Sequence, residues 1–594
     1  MSRAQILSAS AGSGKTYQLA YKYVRDVLVN PQSYRNIIAV TFTNKATKEM
    51  KSRILREINN LASGDKSNYM TALCREPGLD EHTVMERART VRTNILHDYS
   101  RFTVLTIDTF FQRILRAFIM ELGIELDYTI ELDPTAILEK STDALIEEIN
   151  NNRELQQWLV EFMQERMDED KRWDIRDGIL ELGSKLFDEQ NKEYIRNAES
   201  KADLKKIVNL TAGRARASKE KIVALAKKAI GQIDEAGLTA SDFRKDTASY
   251  LYTVVGQPTK APTKKARECA VSPEIWHTQK KQIPAALADN LTKIMAEICD
   301  TYDLNVKRWN TSDMLRANYR SFALLNDLYD KVVEMCDEEN LMLLSETKYI
   351  LSKFIAGNDA PFIYEKVGTR FDRFMIDEFQ DTSRKEWENF LPLLHNAMSQ
   401  TTDTSVLIVG DVKQSIYRWR GGDWKILQRD AIEALGKDTE VISLQDNYRS
   451  LPVIVGFNND VIGKVVKYDN DLLNTQLDEA CFEGKISASL KNELHDTLSN
   501  AYTDYRQNAK KGEPETGHVD ITLYEEEPPV IERIKTLLDV GFKPKDIMIL
   551  TRTNSEGNKI ADVLLGFMHD NKDPRYGFDI MTQEALIIGG APVV

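Results

Sequence analysis

Two short stretches of the chain carry residues whose types and spacing suit one chemistry. The first is Ala9-Ser10-Ala11-Gly12-Ser13-Gly14-Lys15-Thr16. Small residues let backbone N–H groups wrap phosphate oxygens, and a helix from Thr16 points its positive end at them. In that setting Lys15 reaches the β/γ-phosphates and the Thr16 hydroxyl ligates Mg2+. The stretch matches the phosphate-binding loop pattern except that Ala9 stands in place of its first glycine. The second is Phe374-Met375-Ile376-Asp377-Glu378, an apolar run ending in an acid pair. There Asp377 would hold Mg2+, and Glu378 would orient and deprotonate an attacking water. Acids often follow strands, so this pair gains its weight from the phosphate loop. Together the two stretches make ATP and Mg2+ the expected cofactors. About 360 residues separate them, so a large insertion is expected inside one nucleotide-binding core.

The elements around these residues follow from hydrophobic spacing. Ile6–Ser10 is a short apolar run into the Gly-rich turn, and Thr16–Val29 places Leu19, Tyr23 and Val27 on one helical face. Ile37–Phe42 reads as a buried parallel strand, Ala46–Asn59 as a charged amphipathic helix, and Val104–Ile107 as another strand. This alternation predicts a parallel sheet with covering helices. From about Leu122 to Leu351 strand signals fade and helical patterns dominate, with a Pro/Lys-rich loop expected at 257–267. Strands return at Phe374–Ile376, Val406–Val409 and Val441–Leu444. Residues 461–515 read as helical and polar, and 519–524 and 547–551 as strands of a further α/β unit. Apolar Ala585–Ile588 just before the chain end needs a following element to cover it. No repeat of 20–50 residues stands out.

The chain has 594 residues, 79 basic and 92 acidic, for a net charge of −13. That length suits about three to five domains. No run of about 18 apolar residues exists, so no membrane partner is expected. The N-terminus has no apolar signal core, and five scattered cysteines without a CxxC pair fit a reducing cytoplasm rather than a disulfide or zinc framework. The acidity excludes only a uniformly basic surface. Residues 35–56 hold six bases and one acid, and 201–228 hold nine bases and two acids, whereas 131–170 hold twelve acids and three bases. A groove at 35–56 can track phosphates; the 201–228 cluster could touch duplex DNA or simply be a solvated helix face.

Four further blocks carry a resemblance: Val40–Thr47 (VTFTNKAT), Asp377–Ser383 (DEFQDTS), Gly410–Asp423 (GDVKQSIYRWRGGD) and Asn447–Ser450 (NYRS). In order and length they resemble superfamily 1 DNA helicases of the UvrD/Rep type. The resemblance covers Ile6–Phe118 and about Ala360–Phe457 well, Asp546–Ile588 more weakly, and the helical region by position alone. It implies a RecA-like α/β core with helices on both faces of a parallel sheet. Residues 1–120 and 352–457 would form the ATP-binding motor domain, 121–351 a mostly helical inserted domain, and 458–594 a partial second motor domain. It also implies that Gln414 contacts the γ-phosphate and relays nucleotide state, that Arg449 places a cation on that phosphate, and that Tyr448 stacks on adenine. Phe42, Thr43 and Asn44, with Thr106 and Phe110, would grip single-stranded DNA, and Tyr417 and Trp419 would stack on bases.

The implied activity is ATP-dependent DNA unwinding or translocation, 3′→5′, at single-stranded/duplex junctions in recombinational repair. Two motor domains would close on ATP and reopen after hydrolysis, moving the strand. Only eight residues precede Ala9, so the upstream Gln-containing adenine motif of stand-alone UvrD-type helicases is not expected here. The start SASAGSGKT, TIDTFFQRILRAF and APFIYEKVGTRFDRFMIDEFQDTS look more like the RecB/AddA branch, which implies a partner, the second subunit of a helicase–nuclease. Asp108 stands where similar segments often carry His. The final two motor motifs and a nuclease block are not found after Asp546, so the chain is expected to be an N-terminal portion that binds ATP·Mg2+ weakly and hydrolyses it poorly. Two other readings remain: a catalytically weak or silent ATP- and DNA-binding component of a helicase–nuclease complex, and a P-loop ATPase that is not a DNA motor.

Overall fold

The computed structural model describes residues 2–118, 128–131, 133–148, 152–168, 174–188, 191, 201–244, 247–277, 283–356, 362–363, 368, 370–525, 527–571 and 573–581. Apolar Ala585–Ile588 and much of the 360–369 run lie outside them. The chain divides into two compact units, Met1–Gly517 and His518–Val594.

The first unit is built on a parallel sheet of six strands. In chain order its strands are β1 (Ala4–Ala9), β2 (Ile37–Thr41), β3 (Val104–Thr106), β6 (Arg373–Ile376), β7 (Val406–Gly410) and β8 (Thr439–Leu444). A separate two-stranded parallel pair, β4 (Thr129–Glu131) and β5 (Leu341–Leu343), lies in the helical region. The six lie in the order β3-β2-β6-β7-β1-β8. Residues from both ends of the helical region therefore share one sheet: β2 pairs with β6, matching Val40 to Ile376.

Alternate strand residues go to opposite faces, which explains two separate cores. Ile6, Ile38, Val40, Phe374, Ile376 and Ile408 pack on one face, against the helices Ile107–Ala117 and Arg384–Gln400. Leu7, Ala39, Met375, Leu407 and Val409 pack on the other, against α1 (Lys15–Val29), α2 (Asn44–Ser63) and Glu81–His97. Both faces are covered, as a parallel sheet requires. The expected α/β fold is the one observed.

The region between β3 and β6 is mostly helical. Its longest helices, Lys201–Glu235 and Ala285–Glu338, share a core that includes Ile222, Trp276, Leu291 and Trp309. The loop expected at 257–267 is shorter, because Thr263 caps a helix over Lys264–Cys269. After β8 the chain forms the helix Pro452–Phe482 and two short helices, all within the first unit.

In the second unit the strand expectation fails. Residues 519–524 and 547–551 form no strand and pair with none among the described residues. A strand needs a neighbour for its N–H and C=O groups, and the described residues supply none for these runs; Leu523, Met548 and Leu550 are exposed. The helices Val530–Val540 and Asn554–Asp570 are present. No helix among the described residues is long and apolar enough to cross a membrane.

Candidate functional site

All six strands are parallel, so the loops that follow them gather at one edge. A parallel α/β sheet binds its ligands outside the carboxyl ends of its strands, and the candidate residues lie there.

The loop after β1 turns through two left-handed glycines, Gly12 (φ 79°) and Gly14 (φ 87°), before α1 begins at Lys15. A Cβ on Gly12 would lie 2.8 Å from Asn447 Oδ1, so only glycine fits this turn. Ser13 Oγ donates to the Ser10 carbonyl at 2.7 Å and tightens the loop. The Ala11 carbonyl accepts from Asn447 Nδ2 (3.1 Å) and Gln507 Nε2 (2.9 Å), and the Gly12 carbonyl from the Tyr448 N–H (2.9 Å). The carbonyls are thus engaged from behind by residues 447–448 and 507. This back-anchored turn with an N-terminal helix end fits a polyphosphate. Ala9 is the exception among the expected binding residues. It is fully buried at the end of β1, paired with Leu444, and sets the loop's point of departure instead of lining it.

Lys15 Nζ donates to Glu378 Oε2 at 3.0 Å and to Gln414 Oε1 at 3.2 Å. Three expected catalytic residues, from the loops after β1, β6 and β7, therefore meet at one point. Glu378 adopts a left-handed backbone (φ 51°), rare for a non-glycine residue and typical of functional positions. Asp377 is nearly buried (4% exposed). Burial and the neighbouring Glu378 push its carboxyl up to about 7, against the pull of Lys15. A buried acid whose charge lacks solvation is suited to a divalent cation, with half-buried Thr16 as the other expected ligand. Exposed Arg449 lies against the loop, its Cβ 3.0 Å from the Cβ position of Gly12, and Tyr448 is exposed next to it.

The second group lies on the loops after β2 and β7. The Phe42 and Tyr417 rings are 4.6 Å apart and Tyr417 and Trp419 6.0 Å, centroid to centroid. The Arg420 guanidinium sits over both Phe42 (5.2 Å) and Trp419 (5.9 Å). Trp419 is 73% exposed. Residues remote in sequence thus form one open aromatic row with a cation along it. Thr43 caps α2 by accepting from the Ala46 N–H, and Asn44, Lys45 and Lys48 lie beside it.

Two expected DNA contacts are corrected. Phe110 is 1% exposed and lies among Phe111, Phe371, Phe374 and Phe390, stacked on the last. It points down into the core because its helix presents that face to the sheet. Thr106 is buried and spends its hydroxyl on capping that helix, accepting from the Thr109 N–H at 3.2 Å. Asp108 faces Lys348 (3.6 Å) and Arg420 (3.7 Å).

Sequence reasoning missed Gln380, Arg420, Asp411 and Gln507. Gln380, Asp411 and Arg420 lie within the helicase-like blocks, and for Gln380 and Asp411 a polar residue shortly after a strand was the available signal. Gln507 had none, since it reaches Ala11 across 496 positions. Four of the nine bases of segment 201–228 are paired among the described residues: Lys201, Arg216, Lys219 and Lys221 with Asp327, Glu220, Asp313 and Glu297.

The profile of the UvrD/REP helicase N-terminal domain matches residues 2–433. The chain belongs to the UvrD/REP helicase family. Among curated relatives, the exonuclease/helicase subunit RexA of Lactococcus lactis subsp. cremoris is 24% identical over 95% of this chain and 47% of its own length. The RecBCD enzyme subunit RecB of Chlamydia pneumoniae is 31% identical over 20% of this chain and 11% of its own. DNA helicase II of Haemophilus influenzae is 27% identical over 40% and 27%. The chain spans about half the length of the exonuclease/helicase relative it matches.

Proposed function

We propose that this UvrD/REP family chain carries the ATP-binding and single-strand-gripping part of a DNA helicase or translocase of recombinational repair. The observation that carries the reading is the meeting of Lys15, Glu378 and Gln414 at one sheet edge, on the loops that also bear Phe42, Tyr417 and Trp419. Residues 1–120 and 352–457 act as the motor domain, 121–351 as an inserted domain, and 458–594 as part of a second motor domain. A 3′→5′ direction, a cytoplasmic location and a partner from a helicase–nuclease complex belong to this reading, and relatives named as helicase/nuclease subunits support the partner.

Bound ATP·Mg2+ would supply the phosphoryl group whose transfer to water drives the motor. N–H groups of the 10–14 loop other than that of Ser13, which bonds the Ser10 carbonyl, would hold the phosphates, and Lys15 would leave its two acceptors to neutralise phosphate oxygens. Thr16 and Asp377 would hold the cation. Glu378 accepts the proton of the attacking water, Gln414 and Arg449 face the terminal phosphate, and Tyr448 offers its ring to the base. Phe42, Tyr417 and Trp419 stack on unpaired bases while Thr43 and Asn44 face the backbone, a grip indifferent to sequence.

ATP hydrolysis with and without oligo-dT tests this. Stimulation by DNA is expected. Hydrolysis indifferent to DNA would favour a P-loop ATPase that is not a motor, and binding of both ligands without turnover a silent component of a larger complex.

A further inference from the structure

Gln380 is 1% exposed and has every polar group of its side chain engaged. Its Nε2 donates to Glu378 Oε2 at 2.9 Å and to Asp381 Oδ2 at 3.1 Å. Its Oε1 accepts the Asp411 N–H at 2.9 Å, and its backbone carbonyl accepts from Ser415 Oγ at 3.2 Å. One buried glutamine therefore touches the candidate water-activating carboxylate on one side. On the other it touches both ends of the 411–415 turn that leads into Tyr417 and Trp419. The approach needs Gly410 without a side chain, since a Cβ there would lie 2.8 Å from Gln380 Oε1.

The connection closes on itself. Gln414 Nε2 donates to Asp411 Oδ2 at 2.6 Å, and Gln414 and Glu378 both hold Lys15. A phosphate that takes Lys15 removes a donor from Glu378 and from Gln414 at once. Both of those are anchored to Gln380, one directly and one through Asp411. Further along, the Asp423 N–H bonds the Thr382 carbonyl at 3.0 Å, and Gly422 bridges Ser383. The aromatic turn is thus seated on residues 380–383. The amides of Ile416 and Tyr417, at the start of the aromatic turn, also face the buried Asp381 carboxylate.

Resting on the functional reading above, we propose that Gln380 is a positioning residue that couples nucleotide at Lys15 to the placement of the Tyr417–Trp419 turn. Nucleotide and single-stranded DNA then change one another's affinity through it. Such coupling is a free energy shared by two sites and is reciprocal. It travels through groups with two discrete arrangements, which the alternative partners of Lys15 supply.

The test is the affinity of the whole chain for labelled oligo-dT, with and without Mg2+·ATPγS, in wild type and in Gln380→Met, which keeps volume but loses all three side-chain amide contacts. Wild type should show a ratio of about 5–150-fold, in the usual range of such couplings. In Gln380→Met each ligand should still bind alone, and the ratio should fall to near one. The nucleotide affinity, read with and without oligo-dT, should lose the same factor. A merely structural defect would weaken both single affinities and leave the ratio. A wild-type ratio in Gln380→Met overturns the inference, as does a ratio of one in wild type. Should Gln380→Met not fold, Ser415→Ala cuts the half-buried end of the same connection; a reduced ratio is expected, and an unchanged one overturns the inference. Wild type that binds no nucleotide or no DNA instead defeats the functional reading, and the inference with it.

Discussion

Lys15 Nζ lies 3.0 Å from Glu378 Oε2, joining residues 363 positions apart. The pair brings together the loops after β1 and β6, which flank β7 in the strand order of the sheet. It also holds the lysine where phosphate oxygens would take it over. Gln380 holds the same Glu378 oxygen, so the acid keeps a donor when the lysine leaves.

Replacing the two residues should separate binding from chemistry. Lys15→Ala is expected to reduce phosphate release to background without unfolding the protein, because Glu378 keeps its bond to Gln380. Glu378→Gln should still bind nucleotide and lose about 10²–10⁴-fold in rate, the usual worth of a positioned base. Phosphate release and titration with a fluorescent nucleotide read the two effects. Unchanged turnover in Lys15→Ala would remove the site assignment.

The aromatic row predicts a different pattern. Trp419 is 73% exposed, so Trp419→Ala should leave thermal stability nearly unchanged. Its loss should weaken oligo-dT binding by about 1–3 kcal/mol, the worth of one base stacked on one ring. Arg420→Ala should weaken binding as well and flatten its salt dependence, since it removes a cation from the row. Anisotropy titrations at several salt concentrations check both.

Phe110 separates a core residue from a DNA contact. Phe110→Ala should cost about 3–5 kcal/mol of stability, as for a large ring removed from a packed core. Oligo-dT affinity of the protein that remains folded should be unaltered. Denaturant unfolding and binding at low temperature measure the two separately, and a selective loss of DNA affinity would return Phe110 to the interface.

Phe110 also shows where reading the sequence reaches its limit. Local motifs single out Lys15, Asp377 and Glu378 because glycine turns and strand ends have signatures in a few adjacent residues, whereas Gln414 is singled out by the family resemblance. The two-faced sheet is legible because its strands alternate between cores. Which face of the Ile107–Ala117 helix meets the core is a tertiary outcome, so Phe110, expected to help grip a single strand, lies inward. Gln507 and Asn447 meet behind the phosphate loop through chain return, and no spacing encodes that. The run near Ile549 carries strand composition, but composition supplies no neighbour to pair with.

Asp381 gives the pH dependence. It is 5% exposed, and burial pushes its carboxyl up from 3.8 to about 6, although the amides of Ile416 and Tyr417 and the Gln380 side chain pull it down. The folded protein therefore keeps a proton between those two values that the unfolded chain has released. By linkage, the contribution of this group to stability is complete below the unfolded pKa and is lost as pH rises through about 6. Asp381→Asn has no proton to lose. The melting temperature of wild type minus that of Asp381→Asn should thus fall as pH rises across this window and level off above it. Asp377, raised to about 7, contributes a slope of the same sign to both proteins and cancels in the difference. A difference that stays flat, or rises with pH, would mean that the Ile416 and Tyr417 amides outweigh burial and hold Asp381 charged throughout.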